Sequence, residues 1–296
     1  MSTLQTTPRR LSEAARQALR HARFTRWRLT NLARILAHRP DVGQDGTLRP
    51  LARELRHEGI LTRPYAALCV SGSTLFQAVL ARAHELWAQA RQAEALGIAG
   101  KEYKVSLVPP DLSVDDPLVR LALDPRLLEL VNRYLGLCGY LRIVDLWWDR
   151  PTLEPPKETQ LWHRDGDDLM SVKLFLYLND VDLQTGPFCY IPRSHFFGQR
   201  HGLAVEHNGR GRSADEQMAR VLPPSEWRVC TGPAGTATLC DTFGFHKGLK
   251  PSHQERLLCM LQYTSGTPHF PRSFRLTGLP NPDWSRAQRL AVGAIA

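Results

Sequence analysis

Apolar residues keep a helical spacing through the first part of the chain and an alternating one beyond residue 138. Leu75, Val79, Ala83, Leu86 and Ala90 recur at intervals of three and four, with Arg82, Glu85 and Gln89 opposite. That pattern predicts an amphipathic helix starting after Ser73 and stopping near Gly97. A short helix is predicted over residues 51–57. Another is predicted over about 125–135, where Leu127, Leu128, Val131 and Leu135 share one side and Gly136 supplies the stop. Upstream, Leu11, Ala15, Leu19, Phe24, Leu29, Leu32 and Ile35 repeat at roughly helical spacing among arginines. Residues 40–50 are rich in turn formers and read as a linker.

From residue 140 the period changes. Residues 140–148 form an apolar strand candidate, and 161–165 a short extended stretch after a Pro-rich loop at 151–158. Val172, Leu174, Leu176 and Leu178 alternate with Lys173, Phe175, Tyr177 and Asn179, the period of a strand. Further strands are predicted at 188–192, 236–240 and 256–264. Residues 197–224 are polar, carry Gly-Arg-Gly-Arg at 209–212, and read as an insertion or mobile loop. Helices followed by many short strands predict a mainly β fold with flanking helices: an antiparallel barrel or jelly roll under a helical N-terminal layer. The predicted division is a basic helical segment at 1–45 and a barrel domain at 46–296.

Composition removes several function classes. The chain has 296 residues with 43% hydrophobic and 23% charged, which excludes collagen-like and wholly disordered readings. A chain of this length buries about three quarters of its unfolded surface and needs no disulfide or zinc staple. No apolar run approaches the ~18 residues of a membrane span, and no apolar signal core opens the chain. The six cysteines, at 69, 138, 189, 230, 240 and 259, form no CxxC pair and read as reduced core thiols. A cytoplasmic location is the expectation. Net charge is +9, but residues 1–40 hold nine arginines against the single acid Glu13, leaving a nearly neutral body. A globally basic nucleic-acid binder is therefore not expected. The segment 1–40 itself suits an anionic membrane surface, an acidic partner, a mitochondrial targeting role, or a solvated helix packed on the body.

The chemistry concentrates in Gln160-Leu161-Trp162-His163-Arg164-Asp165-Gly166. Residues two apart on a strand point to one face, so His163 and Asp165 can lean towards one metal ion. His246, after a turn and a strand, is the best third ligand. Two histidines and a carboxylate on one face make the facial triad of non-haem Fe(II) oxygenases, with positions left open for cosubstrate and O₂. Arg256 lies ten residues beyond His246, across Gly248 and Pro251. Its guanidinium can grip the distal carboxylate of a 2-oxo diacid with two parallel hydrogen bonds. Competing assignments are Asp167 or Asp168 for Asp165, and His253 for His246. His195 reads as structural and Gln160 as a supporting residue. Lys173 either points into the barrel to meet a cosubstrate carboxylate or reaches solvent. Trp147, Trp148 and Trp162 read as packing.

Four motifs follow one another in order: Gln160-x-Trp162-His163-x-Asp165, Val172-Lys173-x-Phe175-x-Tyr177-Leu178-x-Asp180-Val181-Asp182, Thr185-Gly186-Pro187-Phe188-x-x-Ile191-Pro192-x-Ser194-His195, and Asp241-Thr242-x-x-x-His246-x-Gly248 followed by Arg256. Together they resemble the phytanoyl-CoA dioxygenase family. The resemblance covers roughly residues 50–265. It implies a double-stranded β-helix, Fe(II), 2-oxoglutarate and O₂. His163, Asp165 and His246 would be the iron ligands and Arg256 the partner of the 2-oxoglutarate C5 carboxylate. The implied reaction is hydroxylation of a small-molecule C–H bond with release of succinate and CO₂. Related halogenases have a small residue where Asp165 stands, so the resemblance favours hydroxylation, desaturation or cyclisation over halogenation. The chain departs from the family at Arg193, often glycine, and at Gly248, often serine or threonine. A cupin-like metal-dependent isomerase or hydrolase, which would have no use for Arg256, and a non-catalytic binding protein on the same barrel are the alternative functions.

Overall fold

The computed structural model describes residues 12–98, 102–265 and 271–295. Leu11 and the arginines Arg9 and Arg10 of the basic segment lie outside them. The strands are β1 (Ile60–Pro64), β2 (Lys104–Ser106), β3 (Asp111–Ser113), β4 (Tyr140–Asp149), β5 (Ser171–Tyr177), β6 (Phe188–Tyr190), β7 (Arg228–Cys230), β8 (Thr236–Asp241), β9 (His246–Gly248), β10 (Arg256–Thr264) and β11 (Arg275–Thr277). The helices are α1 (Glu13–Thr30), α2 (Leu32–His38), α3 (Arg49–Glu58), α4 (Tyr65–Leu68), α5 (Gly72–Ala95), α6 (Pro117–Ala122), α7 (Pro125–Leu135), α8 (Asp215–Ala219) and α9 (Arg286–Ala291).

A major antiparallel sheet of six strands runs β1-β8-β5-β10-β4-β2, and a minor one runs β7-β6-β9. A parallel pair, β3 with β11, lies apart from both. The alternation in β5 sorts its residues between two cores. Val172, Leu174 and Leu176 join the large apolar cluster under the helices, which includes Leu127 and Val131 of α7 and Val79 and Ala83 of α5. Phe175 and Tyr177 face the other way and pack with Phe188 and Tyr190 of β6. Phe175 and Phe188 stack with ring centroids 4.4 Å apart. Two antiparallel sheets therefore face each other, and helices cover the outer side of the larger one.

Local signals explain the predicted helices. Asp124 caps α7 by accepting from the backbone N–H groups of Arg126 and Leu127, Pro125 starts it, and Gly136 ends it in the left-handed conformation at φ 75°. Gly59 ends α3 in the same way at φ 78°, and a Cβ there would lie 2.4 Å from His195 Nδ1 and from the Tyr190 hydroxyl. That position needs glycine for both its conformation and its space.

Three expectations need correction. The apolar stripe along the first helices does not all turn inward. Trp27 is buried and Phe24 and Ile35 pack against the core, whereas Leu19, Leu29 and Leu32 are exposed. The segment 197–224 is not a loose loop. It contains α8 and contributes Val205, Met218 and Leu222 to a small core with Trp162 and Ile191, a burial of apolar side chains that fixes its course. Residues 40–50 are more than a linker. Leu48 is fully buried, and Arg133 donates to the Asp45 carbonyl at 2.8 Å. No described helix is long and apolar enough to cross a membrane, and the six cysteines are all free and buried.

Candidate metal centre

The extended stretch at 161–165 does not join a long strand. It is stitched by single bridges between β9 on one side and Ser213 on the other. His163 and His246 exchange backbone hydrogen bonds of 3.0 and 2.9 Å, and the Asp165 N–H donates to the Thr242 carbonyl at 2.9 Å. The backbone itself thus brings the HxD stretch against the turn and strand that carry His246. The side chains converge as a consequence. His163 Nε2 lies 3.7 Å from Asp165 Oδ1, and His246 Nε2 lies 3.7 Å from Asp165 Oδ2. One ligand atom from each of the three residues falls within 4.8 Å of the others.

The donor chemistry suits a cation. His163 Nδ1 lies 2.8 Å from the Leu161 carbonyl and His246 Nδ1 lies 2.9 Å from the Gly244 carbonyl. A carbonyl can only accept, so each Nδ1 carries the proton and each Nε2 presents a lone pair. Burial pushes the His163 pKa well below the imidazole range, with the neighbouring His246 adding to the effect, and burial likewise lowers His246. Both rings are therefore held neutral. At Asp165 burial works against the charge, but Lys173 and the two histidines outweigh it and hold the carboxyl well below the usual range. Lys173 Nζ donates to Asp165 Oδ2 at 2.7 Å and is itself buried.

The turn bearing His246 is anchored from beneath. Asp241, fully buried, accepts from the Tyr134 hydroxyl of α7 at 2.5 Å and from the Phe243 N–H at 2.9 Å. Burial, partly offset by these hydrogen bonds, pushes its pKa up to about 6.

A narrow cavity of about 60 Å³ is lined by the triad together with Lys104, Trp147, Lys173, Gly248 and Arg256, with Phe175, Phe188 and Leu258 as apolar walls. Arg256 is opposed by Asp149 across β10 and β4, and Asp149 is opposed by Lys104 across β4 and β2. This row places two cations around one carboxylate. Arg256 donates to Asp149 Oδ2 from Nε at 3.1 Å and from Nη2 at 2.8 Å, and its Nη1 donates to the Gly186 carbonyl. Gly248 stands two residues along β9 from His246, about 6.6 Å. A Cβ on it would lie 3.0 Å from Arg256 Nη2, so the missing side chain leaves the guanidinium its place. Lys104 sits over the Trp147 ring at 3.1 Å, and burial brings its pKa down to about 8. A larger cleft of about 340 Å³ lies where Arg23, Arg26 and Trp27 of α1 meet Gly166, Leu169 and Phe243, beside the two ligand-bearing turns.

The competing candidates lie elsewhere. Asp167 accepts from Arg142 and Gln262, and Asp168 from the backbone N–H groups of Leu169 and Ser265. His253 is exposed. His195 is buried and donates from Nε2 to the Arg56 carbonyl at 3.0 Å. Gln160 accepts from the Lys157 N–H at 3.1 Å. Trp148 and Trp162 pack, but Trp147 lines the cavity. Sequence reasoning missed Lys104, Asp149 and Thr159, which also lines the cavity and accepts from Lys104 Nζ at 3.3 Å. Lys104 and Asp149 sit at strand ends without a motif, and only cross-strand register joins them to Arg256. Arg193 adopts the left-handed conformation at φ 65°.

No protein-family model and no curated protein matches the chain. Solved structures do. The chain is similar to the non-haem monooxygenase ThoJ in its apo form, at 18% identity over 81% of this chain and 92% of that one, with a TM-score of 0.51. It is similar to EctD from S. alaskensis in its apoform, at 18% identity over 82% of this chain and 86% of that one, with a TM-score of 0.52. EctD solved with 2-oxoglutarate and 5-hydroxyectoine gives 17% identity, 80% and 82% coverage, and a TM-score of 0.51. This chain has the fold that these structures share.

Proposed function

We propose that the protein is an Fe(II)- and 2-oxoglutarate-dependent oxygenase on a double-stranded β-helix. It hydroxylates an aliphatic C–H bond of a small molecule or a carrier-linked metabolite and releases succinate and CO₂. The observation that carries this reading is the convergence of two neutral imidazoles and one carboxylate, their free donor atoms within 4.8 Å, in a cavity that also presents Arg256. The likeness to EctD, solved with bound Fe and with 2-oxoglutarate, supports it through the shared fold.

His163, Asp165 and His246 would hold the iron, with the Leu161 and Gly244 carbonyls fixing the two rings. Lys173 donates to Asp165 Oδ2 and fixes the carboxylate, which would leave Oδ1, 3.7 Å from His163 Nε2, available to the ion. When bound, iron with 2-oxoglutarate supplies the oxidising power for O₂ activation, and the protein supplies position and a dry cavity. Three cationic side chains, Lys104, Lys173 and Arg256, line the cavity against one lining carboxylate, Asp165, while Asp149 and Asp145 lie behind Arg256 and Trp147. That balance favours an anionic cosubstrate. Asp149 holds the Arg256 guanidinium by two hydrogen bonds, and the missing side chain of Gly248 gives it room at the cavity wall, where it would meet the far carboxylate. Phe175, Phe188 and Leu258 exclude water between these groups.

The deciding experiment is succinate release from 2-oxoglutarate with added Fe(II), screened over small-molecule candidates. Wild type should release succinate with oxygen uptake tied to 2-oxoglutarate, and Asp165→Ala should not. Full turnover in Asp165→Ala, or oxygen-independent conversion of a substrate, rejects the reading.

A further inference from the structure

The segment at 197–224 brings a cation to the triad that the reading above leaves unused. Trp162 and Ser213 exchange both backbone hydrogen bonds, each 2.9 Å, in an antiparallel bridge. In such a pair the next residue on one strand opposes the preceding residue on the other, so Arg212 stands across from His163. Opposed side chains share a face, with Cβ atoms about 4.5–5.5 Å apart. Trp162 packs outward against Met218 and Leu222, so the face that Arg212 shares with His163 is the inner one, where His246 also projects.

The position is fixed before any ligand arrives. Asn208 N–H donates to the Arg212 carbonyl at 2.8 Å, and Asn208 Oδ1 accepts from the Arg212 N–H at 3.0 Å. Arg210 pairs with Glu158 at 3.3 Å, whereas no hydrogen bond or ion pair among the described residues engages the Arg212 guanidinium. An unpaired cation beside a divalent ion is repelled by it, and an anion placed between the two removes the repulsion. Arg256 and Lys104 already serve the other sheet. We propose that Arg212 recognises an anionic group, carboxylate or phosphate, on the primary substrate and holds it at the edge of the metal centre. The proposal rests on the triad binding a metal.

The test loads the full chain with Co(II) and the inert 2-oxoglutarate analogue N-oxalylglycine. Inorganic phosphate (³¹P) and acetate (¹³C) are then titrated while paramagnetic relaxation by the cobalt is followed. Wild type should give saturable relaxation of at least one probe, and the more tightly bound probe identifies the group. Arg212→Gln should weaken that affinity about tenfold, the effect of losing one charge-assisted contact, and Arg212→Lys should restore part of it. Melting temperature and cobalt stoichiometry should match wild type in both variants. Unchanged affinity in Arg212→Gln, or no saturable relaxation in wild type, overturns the proposal. Equilibrium dialysis separates the two readings: if wild type retains no more cobalt than His246→Ala, the metal assignment itself fails, whereas normal cobalt binding with an indifferent anion response removes only the role of Arg212.

Discussion

The two faces of β5 are almost equally buried and chemically opposite. Val172, Leu174 and Leu176 are fully buried against the helices, while Lys173, Phe175 and Tyr177 face the minor sheet at 8%, 4% and 1% exposure. The outer face is apolar throughout and contributes stability in proportion to the area it removes from water. The inner face carries an ammonium and a phenol, and each must find a partner because burial penalises an unpaired polar group. Lys173 finds Asp165, and the Tyr177 hydroxyl donates to the Cys230 carbonyl at 2.6 Å. One strand thus separates what holds the protein together from what it does.

Substitutions on either side should separate the same way. His246→Ala removes a ligand, so 2-oxoglutarate turnover should fall about a thousandfold or more, with stoichiometric metal binding lost in dialysis. The metal-free protein should unfold at nearly the wild-type denaturant midpoint. Leu174→Ala should instead cost about 2–5 kcal/mol in urea unfolding, with the affinity for 2-oxoglutarate unchanged in the folded fraction. Comparable destabilisation of the metal-free protein by both variants would break the comparison.

Asp241 sharpens it, because this buried acid lies where the helix layer meets the turn bearing His246. Its folded-state pKa of about 6 lies above the ordinary 3.8, so the folded protein binds the proton more tightly than the unfolded chain does. Its stabilising contribution is fully present below pH 3.8 and is lost as pH rises through about 6. The displacement corresponds to about 3 kcal/mol. The stability difference between wild type and Asp241→Asn, measured by urea unfolding from pH 3 to 8, should change by about that amount across this window. A difference that stays constant with pH would show that Asp241 does not titrate there.

The smallest effect is expected at Arg193. A non-glycine residue in the left-handed region costs about 1–2 kcal/mol, and its ion pair with Glu58, 3.5 Å and partly exposed, recovers little of that. Arg193→Gly should therefore stabilise the protein by about 0.5–1 kcal/mol after the added chain entropy of glycine. Chemical denaturation resolves it, and a net loss would give the Glu58 pair more weight than its geometry suggests.

Where local signals repeat, the elements were legible. The helix predicted over 125–135 matches α7 because Asp124, Pro125 and Gly136 mark both ends. The strand predicted at 256–264 matches β10, and the alternation at 172–178 matches β5. Short elements escaped. β2 and β9 span three residues each, too few for a period to show, and α6 and α9 are six residues long. The exposed Leu19, Leu29 and Leu32 mark the limit of periodicity: it finds a helix but does not say which neighbour covers its apolar side.

The sequence alone determined the residue types and spacings of the candidate site. The HxD step puts His163 and Asp165 on one strand face, and the order of motifs supplies His246 and Arg256. Only the tertiary structure decided which groups meet across strands. Arg256 and Lys104 each oppose Asp149, Lys173 meets Asp165, and the bridge between Trp162 and Ser213 draws the 197–224 segment alongside the HxD stretch. The reason is physical: a strand's own period fixes the face of each side chain, whereas register between strands is set by long-range pairing, hydrogen bonds and packing that no local stretch encodes.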